Sequence, residues 1–328
     1  MSTAEVTDAA ASPLEVGYWL SSEEHGPRSL VRHAEVAEAH GFEHAMISDH
    51  FHPWVPQQGH APFVWGVLGA IAARTERLHL ATGVTAPTCR MHPVVVAQAA
   101  ATAAVLLEGR FALGLGTGER LNEHVVGARW PRPGVRRQQL EEAISILREL
   151  LAGRDVTHDG EHFTVEHAQL YSRPEQPPDL WVAASGKRTL RLAGAKADGV
   201  IALAPDPALV ATYRAAGGTG PVIGQLHVCW GASDDLARET ARRWWPNAAL
   251  PASVLAELAR PQEFEDLVAT VTTEAVSEAV VCGPDPEAMA RAVLRFAAAG
   301  FTRVYVHQVG PDQEAFVAFW DRSVRALL

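Results

Sequence analysis

The sequence predicts an α/β fold of the closed (β/α)8 TIM-barrel type, and three observations carry that expectation. Short runs rich in Val, Ile and Leu alternate with longer amphipathic stretches, as when each strand of a parallel sheet passes to a crossover helix. Eight such runs can be counted. At 328 residues, eight alternations favour closure into a barrel over an open doubly wound sheet, which is the alternative weighed against it.

The strands are expected at residues 14–19, 44–47, 78–84, 111–115, 180–184, 199–203, 222–229 and 303–306. Helices are expected at 29–40, 93–107, 136–151, 189–195, 234–245 and 285–299. Gly41 and Gly300 follow two of them as C-terminal caps, and Pro284 stands before the last. Residues 154–178 break the rhythm. They carry an Asp159-Gly160 turn between two strand-like pieces, then Pro174, Pro177 and Pro178, and are expected to form an insertion beside one barrel domain spanning 14–328. Residues 1–13 are small and polar, without the apolar core of a secretory signal, and are expected to be a disordered leader.

Charge and cysteine usage narrow the function classes. Thirty-eight acidic against 28 basic residues leave a net charge of −10, which disfavours nucleic acid or an anionic membrane as partner. No run approaches the ~20 apolar residues of a membrane span. Cys89, Cys229 and Cys282 are far apart and form no C-x-x-C pair, so neither a disulfide framework nor a cysteine metal site is expected. A reducing cytoplasm, a small-molecule substrate and no metal fit this composition.

In such a barrel the active site forms at the C-terminal ends of the strands. Four consecutive strand ends supply chemistry: Ser48-Asp49-His50-Phe51-His52-Pro53-Trp54, Gly83-Val84-Thr85-Ala86, Gly116-Thr117-Gly118-Glu119 running on to Asn122-Glu123, and Ala184-Ser185-Gly186-Lys187-Arg188. His50 is a candidate acid–base group, since imidazole titrates near neutrality. Asp49 alternates to the other side of the strand and need not be its partner. Glu119 follows a Gly-Thr-Gly turn that lets backbone approach a ligand. The spacing Gly114-x-Gly116-x-Gly118 is not a dinucleotide fingerprint, because the third glycine comes one residue early. Ser185-Gly186 opens a helix carrying Lys187, Arg188 and Arg191, an arrangement that favours a phosphate site over the alternative of Ser185 as a plain N-cap. Trp54 is expected in the pocket, Trp65 in packing, and His52 as a structural or lining residue.

These strings together resemble the F420-dependent glucose-6-phosphate dehydrogenase-like group of the luciferase-like monooxygenase superfamily, as do Gly59-His60-Ala61-Pro62-Phe63 and, near the end, His307 and Asp312-Gln313. The resemblance implies a barrel with luciferase-like insertions, usually a homodimer, that transfers hydride between coenzyme F420 and a substrate. It implies that His50 takes the substrate proton, that Glu119 donates one, and that Trp54 supports the charged intermediate. Cofactor contacts would fall on Asp49, Gly83, Val84, Thr85, Thr117, Gly118, Glu119, Asn122, Ala184, Ser185 and Gly186, with a non-prolyl cis peptide where Gly83 meets Val84. Glu23 matches a further acid of the substrate pocket.

The departures bear on substrate. Where the sugar-phosphate enzymes place a threonine and basic residues, this chain has Leu203-Ala204-Pro205-Asp206, the stretch 252–258, and Ser277-Glu278, with no lysine or arginine; Arg260 is the nearest cation and is expected to line the pocket. A threonine of the group after the third strand is Ala86 here, with Thr85 adjacent. A phosphate dianion needs charged or amide donors, so an alcohol, carbonyl or activated alkene is expected instead of glucose 6-phosphate. Two other readings compete: an FMN-dependent monooxygenase on the same barrel, and a non-catalytic cofactor-binding relative.

Overall fold

The computed structural model describes residues 14–328; the expected leader lies outside them. Eleven strands run in chain order as β1 (Glu15–Leu20), β2 (His44–Ile47), β3 (His79–Thr82), β4 (Phe111–Leu115), β5 (Val156–Asp159), β6 (Thr164–Ala168), β7 (Asp179–Ala183), β8 (Gly199–Ala202), β9 (Val222–Cys229), β10 (Val280–Cys282) and β11 (Arg303–Gln308). Eight of them close a ring in the order β1-β2-β3-β4-β7-β8-β9-β11 and back to β1, and every pairing in it is parallel. The expected (β/α)8 barrel is therefore present, and all eight expected strands are its staves.

Alternation along each strand explains how the ring is filled and what stands above the filling. Trp19, Met46, Ala81, Ala112, Trp181, Ile201, Ile223 and Tyr305 form the inner cluster, one side chain from every stave. The large aromatics fit because their neighbours are small: a Cβ on Gly83 would lie 2.5 Å from the Trp19 ring, and one on Gly17 clashes with the Tyr305 ring. Residues two and four positions further along share that inward side, which brings Ser21, Glu23, Ser48, His50 and His307 to the C-terminal mouth. The opposite side of the strands, with Tyr18, Leu20, Ile47, Leu80, Leu113 and Val304, packs under the surrounding helices.

Two helices begin two to three residues earlier than the sequence suggests, at Pro27 and Pro133, while those at Pro93 and Pro286 start within one residue of the expected position. Pro27–Ala39, Pro93–Leu106, Pro133–Leu151 and Pro286–Ala298 each start on a proline, whose fixed φ and missing N–H suit the first helical turn. Gly41 and Gly300 take the left-handed conformation expected of C-terminal caps, with φ of 80° and 88°. The expected insertion contains the antiparallel hairpin β5–β6, turning through Gly160. Two features go beyond the sequence reading. Between β9 and β11 the expected helix Asp234–Trp244 is joined by Pro261–Val268 and Thr273–Ser277 in a cap the sequence did not announce, and β10 adds to the far half of β9 outside the ring. The cap has its own core, with Trp54, Leu121, Trp245, Phe264, Val276 and Val309. At three residues, β10 is too short for its apolar run to stand out.

Candidate active site

His50 stands just beyond β2, inward and nearly buried. Its Nδ1 lies 3.0 Å from the carbonyl oxygen of His52. A carbonyl only accepts, so Nδ1 carries the hydrogen and Nε2 faces the mouth. Nε2 is 3.4 Å from Glu23 Oε1 and 3.5 Å from Glu119 Oε2. Carboxylates from the ends of β1 and β4 thus converge on the ring from β2. The indole of Trp54 packs on that ring, with centroids 4.9 Å apart, and is itself wedged against Phe264 of the cap at 5.4 Å. Closure of the barrel brings Glu23, His50, Trp54 and Glu119 together.

The two acids are held differently. Glu23 is buried, and its Oε2 accepts hydrogen bonds from the hydroxyls of Ser48 at 2.5 Å and Ser21 at 3.1 Å. Ser48 also accepts from the backbone N–H of Ser22 at 2.8 Å, which ties the end of β1 to that of β2. Glu119 has fewer supports and a third of its side chain is exposed. Burial raises its pKa above the ordinary carboxylate range; His50 opposes that shift, Glu23 and Glu123 reinforce it, and the Asn122 amide opposes it slightly. A carboxyl beside an imidazole that keeps its proton above the usual range is a proton donor in waiting.

Asn122 binds the cluster into one piece. Its Oδ1 accepts from the N–H groups of Phe51 at 2.9 Å and His52 at 3.2 Å, and its Nδ2 donates to Glu119 at 3.2 Å. Its side chain therefore positions the His50 loop and Glu119. Asp49 points away from His50, as alternation requires. Its Oδ2 accepts from Thr85 at 2.8 Å and its Oδ1 from the guanidinium of Arg90 at 2.7 Å. Arg90 lies between Asp49 and Glu123, and the backbone N–H of Arg90 donates to Glu123 at 2.7 Å. With both Asp49 oxygens engaged internally and no exposed side-chain surface, any ligand contact falls to its backbone.

The other strand ends form a half-buried rim. Gly83 and Val84 are joined by a cis peptide bond, as the resemblance implied. Thr85 pairs with β4, donating its N–H to Gly114 at 2.8 Å. Thr117 is half-buried, and Gly118 adopts φ 78°, with the Glu123 and Ala86 side chains packed where a Cβ would stand. Ala184 is buried, while Ser185 and Gly186 are exposed. Ser185 does not cap the following helix: Lys187–Lys196 has Gly186 at its N-cap and no side-chain capping bond. Its first amides, with the exposed Lys187 and Arg188, are thus free for an anion among the described residues.

Other expected residues lie outside this cluster. Arg260 is exposed, starts the helix Pro261–Val268 and gives its guanidinium to Glu263 at 3.0 Å. Trp65 packs against Phe111 on the outer side of the barrel, and His52 donates from Nδ1 to the Leu121 carbonyl oxygen, 2.9 Å away, in a structural role. Sequence reasoning missed Ser22, Arg90, Glu24, His227 and Trp245. Arg90 had no signal, since it sits in a loop and meets its partners only through the fold. The doublet Glu23-Glu24 was a signal: acids adjacent in the chain at a strand end go to two different neighbours.

With that geometry in place, comparison with known proteins is consistent throughout. The sequence pattern of the luciferase-like monooxygenases matches residues 10–303. Two relatives, each an F420-dependent glucose-6-phosphate dehydrogenase, are similar over most of their length. The one from Microbacterium testaceum is 38% identical over 325 residues, covering 95% of this chain and 96% of the relative. The one from Nakamurella multipartita is 36% identical over 324 residues, covering 95% and 96%. Among solved structures, an F420-dependent secondary alcohol dehydrogenase in complex with an F420–acetone adduct superimposes with a TM-score of 0.89 at 26% identity, covering 96% of this chain and 99% of that one. A tetrahydromethanopterin reductase from Methanopyrus kandleri, at 22% identity, shares the fold with a TM-score of 0.77. The chain belongs to the luciferase-like monooxygenase family. Within that family its sequence groups with the F420-dependent dehydrogenases.

Proposed function

We propose that this protein is an F420-dependent oxidoreductase that acts on an alcohol, carbonyl or activated alkene lacking a phosphate group. The observation that carries it is the convergence of Glu23 and Glu119 on His50 Nε2 at 3.4 and 3.5 Å, under the Trp54 indole. The rim fits a planar, anionic cofactor. The Gly83–Val84 backbone and Gly118 offer main chain without bulk, Thr117 and Ser185 offer hydroxyls, and the uncapped amides after Gly186, beside Lys187 and Arg188, suit a phosphate. Contacts to F420 are assigned to Gly83, Val84, Thr117, Gly118, Ala184, Ser185 and Gly186, with Asp49, Thr85 and Asn122 supporting them.

F420 bound there supplies a ring carbon that accepts or releases hydride. The chain's own residues handle the proton. His50, with Nδ1 committed to the His52 carbonyl, presents Nε2 to take the hydroxyl proton of an alcohol. Glu119 holds a proton for the opposite direction, and Trp54 covers the reacting groups from water.

The substrate reading rests on where the cations are. Asp206 caps its own helix, accepting from Ala208 N–H at 2.8 Å, Ser277 bonds back to Thr273, and Arg260 is paired with Glu263. Each missing charged hydrogen bond weakens binding of a phosphate by about 1.5–3 kcal/mol. Titration with oxidised F420 and with FMN tests the cofactor: quenching of deazaflavin fluorescence with a Kd of about 1 μM or below is expected, roughly −8 kcal/mol, and tight FMN binding without F420 binding overturns it. Glucose 6-phosphate should be oxidised poorly, and a kcat/KM of about 10⁴ M⁻¹s⁻¹ or more overturns the substrate reading.

We further propose a cytoplasmic homodimer. The helices Val64–Ala72 and Pro93–Leu106 expose Phe63, Val95 and Leu106 on one face, a natural site for a second copy. Light scattering at micromolar concentration tests it.

A further inference from the structure

Beside the His50 cluster stands a second line of titratable groups that its chemistry does not use. Glu23 turns to His50; its chain neighbour Glu24 turns to β11. Glu24 Oε2 is 2.7 Å from His307 Nε2, and Glu24 Oε1 accepts from the N–H of Gly310 at 2.8 Å. His307 Nδ1 is in turn 2.9 Å from Nδ1 of His227 on the neighbouring strand β9. Both rings pack against Trp245, at 4.5 and 5.6 Å, so they share the cap core that also holds Trp54. Glu24 and His307 side chains have no exposed surface. His227, four residues beyond the inner-cluster residue Ile223, is half-buried on the inward side. Its Nε2 makes no hydrogen bond among the described residues and is not one of the buried polar atoms left without a partner. It therefore reaches the open mouth.

We infer that Glu24, His307 and His227 form a proton relay that opens into the mouth, with His227 Nε2 as a second acid–base group for the substrate. The inference rests on the proposed hydride transfer at this mouth. Two nitrogens 2.9 Å apart must share one hydrogen, so with both imidazoles uncharged only two arrangements of the chain exist, and they differ by one proton. In the first, the Glu24 carboxyl donates to His307 Nε2, His307 Nδ1 donates to His227 Nδ1, and His227 Nε2 carries a hydrogen toward the mouth. In the second, Glu24 is ionised, His307 Nε2 donates to it, His227 Nδ1 donates to His307 Nδ1, and His227 Nε2 offers a lone pair.

Burial favours the first arrangement. It holds the Glu24 carboxyl well above the usual carboxylate range, pushes His307 down to about 3 and lowers His227 strongly. The groups facing the chain are Glu23 and the Ser21 hydroxyl beside Glu24, Tyr18 below it, His25 and Glu23 near His307, and Cys229 on β9. When hydride reaches a carbonyl carbon, the oxygen becomes an alkoxide. The His227 Nε2–H bond breaks as the alkoxide O–H bond forms. The hydrogen on His307 Nδ1 moves to His227 Nδ1, the Glu24 proton moves to His307 Nε2, and the negative charge finishes on Glu24, where the Gly310 N–H meets it. Alcohol oxidation runs the same chain backwards.

The two arrangements differ in the tautomer of His227, which nitrogen NMR of the full chain labelled with ¹⁵N-histidine reads without any cofactor or substrate. His227 should be the Nε2–H tautomer at neutral pH and convert to Nδ1–H as the pH rises and Glu24 ionises. In Glu24→Gln the amide still donates to His307 Nε2 and cannot ionise, so His227 should stay Nε2–H at every pH. A purely structural role leaves the tautomer independent of pH. An Nδ1–H tautomer at neutral pH, or a pH step that survives Glu24→Gln, overturns the relay. Should that variant not fold, His307→Gln interrupts the chain instead, and persistence of the step at His227 overturns it equally. Because no F420 is present, failure here is distinct from failure of the hydride-transfer reading.

Discussion

Replacing Arg90 by Ala tests what holds the His50 loop in place. Its guanidinium stands 2.7 Å from Asp49 and 3.8 Å from Glu123, and the side chains of these acids have 0% and 1% exposure. Truncation leaves two buried carboxylates facing each other without their cation, and removing one partner of a buried ion pair typically costs about 3–5 kcal/mol. The lower half of that range applies, because Asp49 retains the Thr85 hydroxyl and Glu123 retains two backbone N–H groups. At about 2.1 cal/mol/K per residue, a chain of this size unfolds with an entropy of about 0.7 kcal/mol/K, so about 3–4 kcal/mol lowers Tm by about 4–6 °C. Thermal melts at neutral pH read this directly. The triple variant Arg90→Met, Asp49→Asn, Glu123→Gln should recover much of the loss, since no charge is then buried. A fall in Tm under 1 °C for Arg90→Ala, or a triple variant as unstable as the single one, would refute the assignment of the loss to uncompensated charge.

Three further outcomes are expected. His50→Ala should lower turnover by about 10²–10⁴ while leaving the F420 dissociation constant nearly unchanged, as measured by fluorescence titration alongside steady-state rates. Glu119→Gln should remove one limb of the pH–rate profile: the wild-type proton-donating direction should persist above the ordinary carboxylate range and fall as pH rises through the raised pKa of Glu119, and the variant should start low and stay flat. Acid should unfold the protein early. His25 and His307 are held down to about 3, and His33 and His44 to about 4, all first by burial. The unfolded chain binds more protons than the folded one from about pH 6.5 down to those values, so stability rises with pH across that window; a Tm constant between pH 7 and 5 would contradict it.

The eight staves, the hairpin and the polar strand ends were legible in the sequence because each is a local pattern: a run of Val, Ile and Leu, a turn pair, or a short string beyond a strand. His50 and Glu119 were legible for the same reason, since a barrel places every such strand end at one mouth, whereas Glu23 was marked only by the family resemblance. What side chains do there was less so. Asp49 and Asn122, expected at the cofactor, turn their polar atoms to Arg90, Thr85 and the His50 loop. Ser185, a natural helix cap by type, leaves that helix uncapped.

By itself, then, the sequence determined the fold class, the order of the staves and the end of the barrel where chemistry gathers, because hydrophobic period and turn residues are properties of neighbouring positions. Only the tertiary structure decided which charges pair. Arg90 meets Asp49 across 41 positions, Glu24 meets His307 across 283, and His307 meets His227 across 80. Such pairings depend on ring closure and strand register, where a shift of one residue turns a side chain from the mouth to the helix layer, and no local pattern in the chain carries that information.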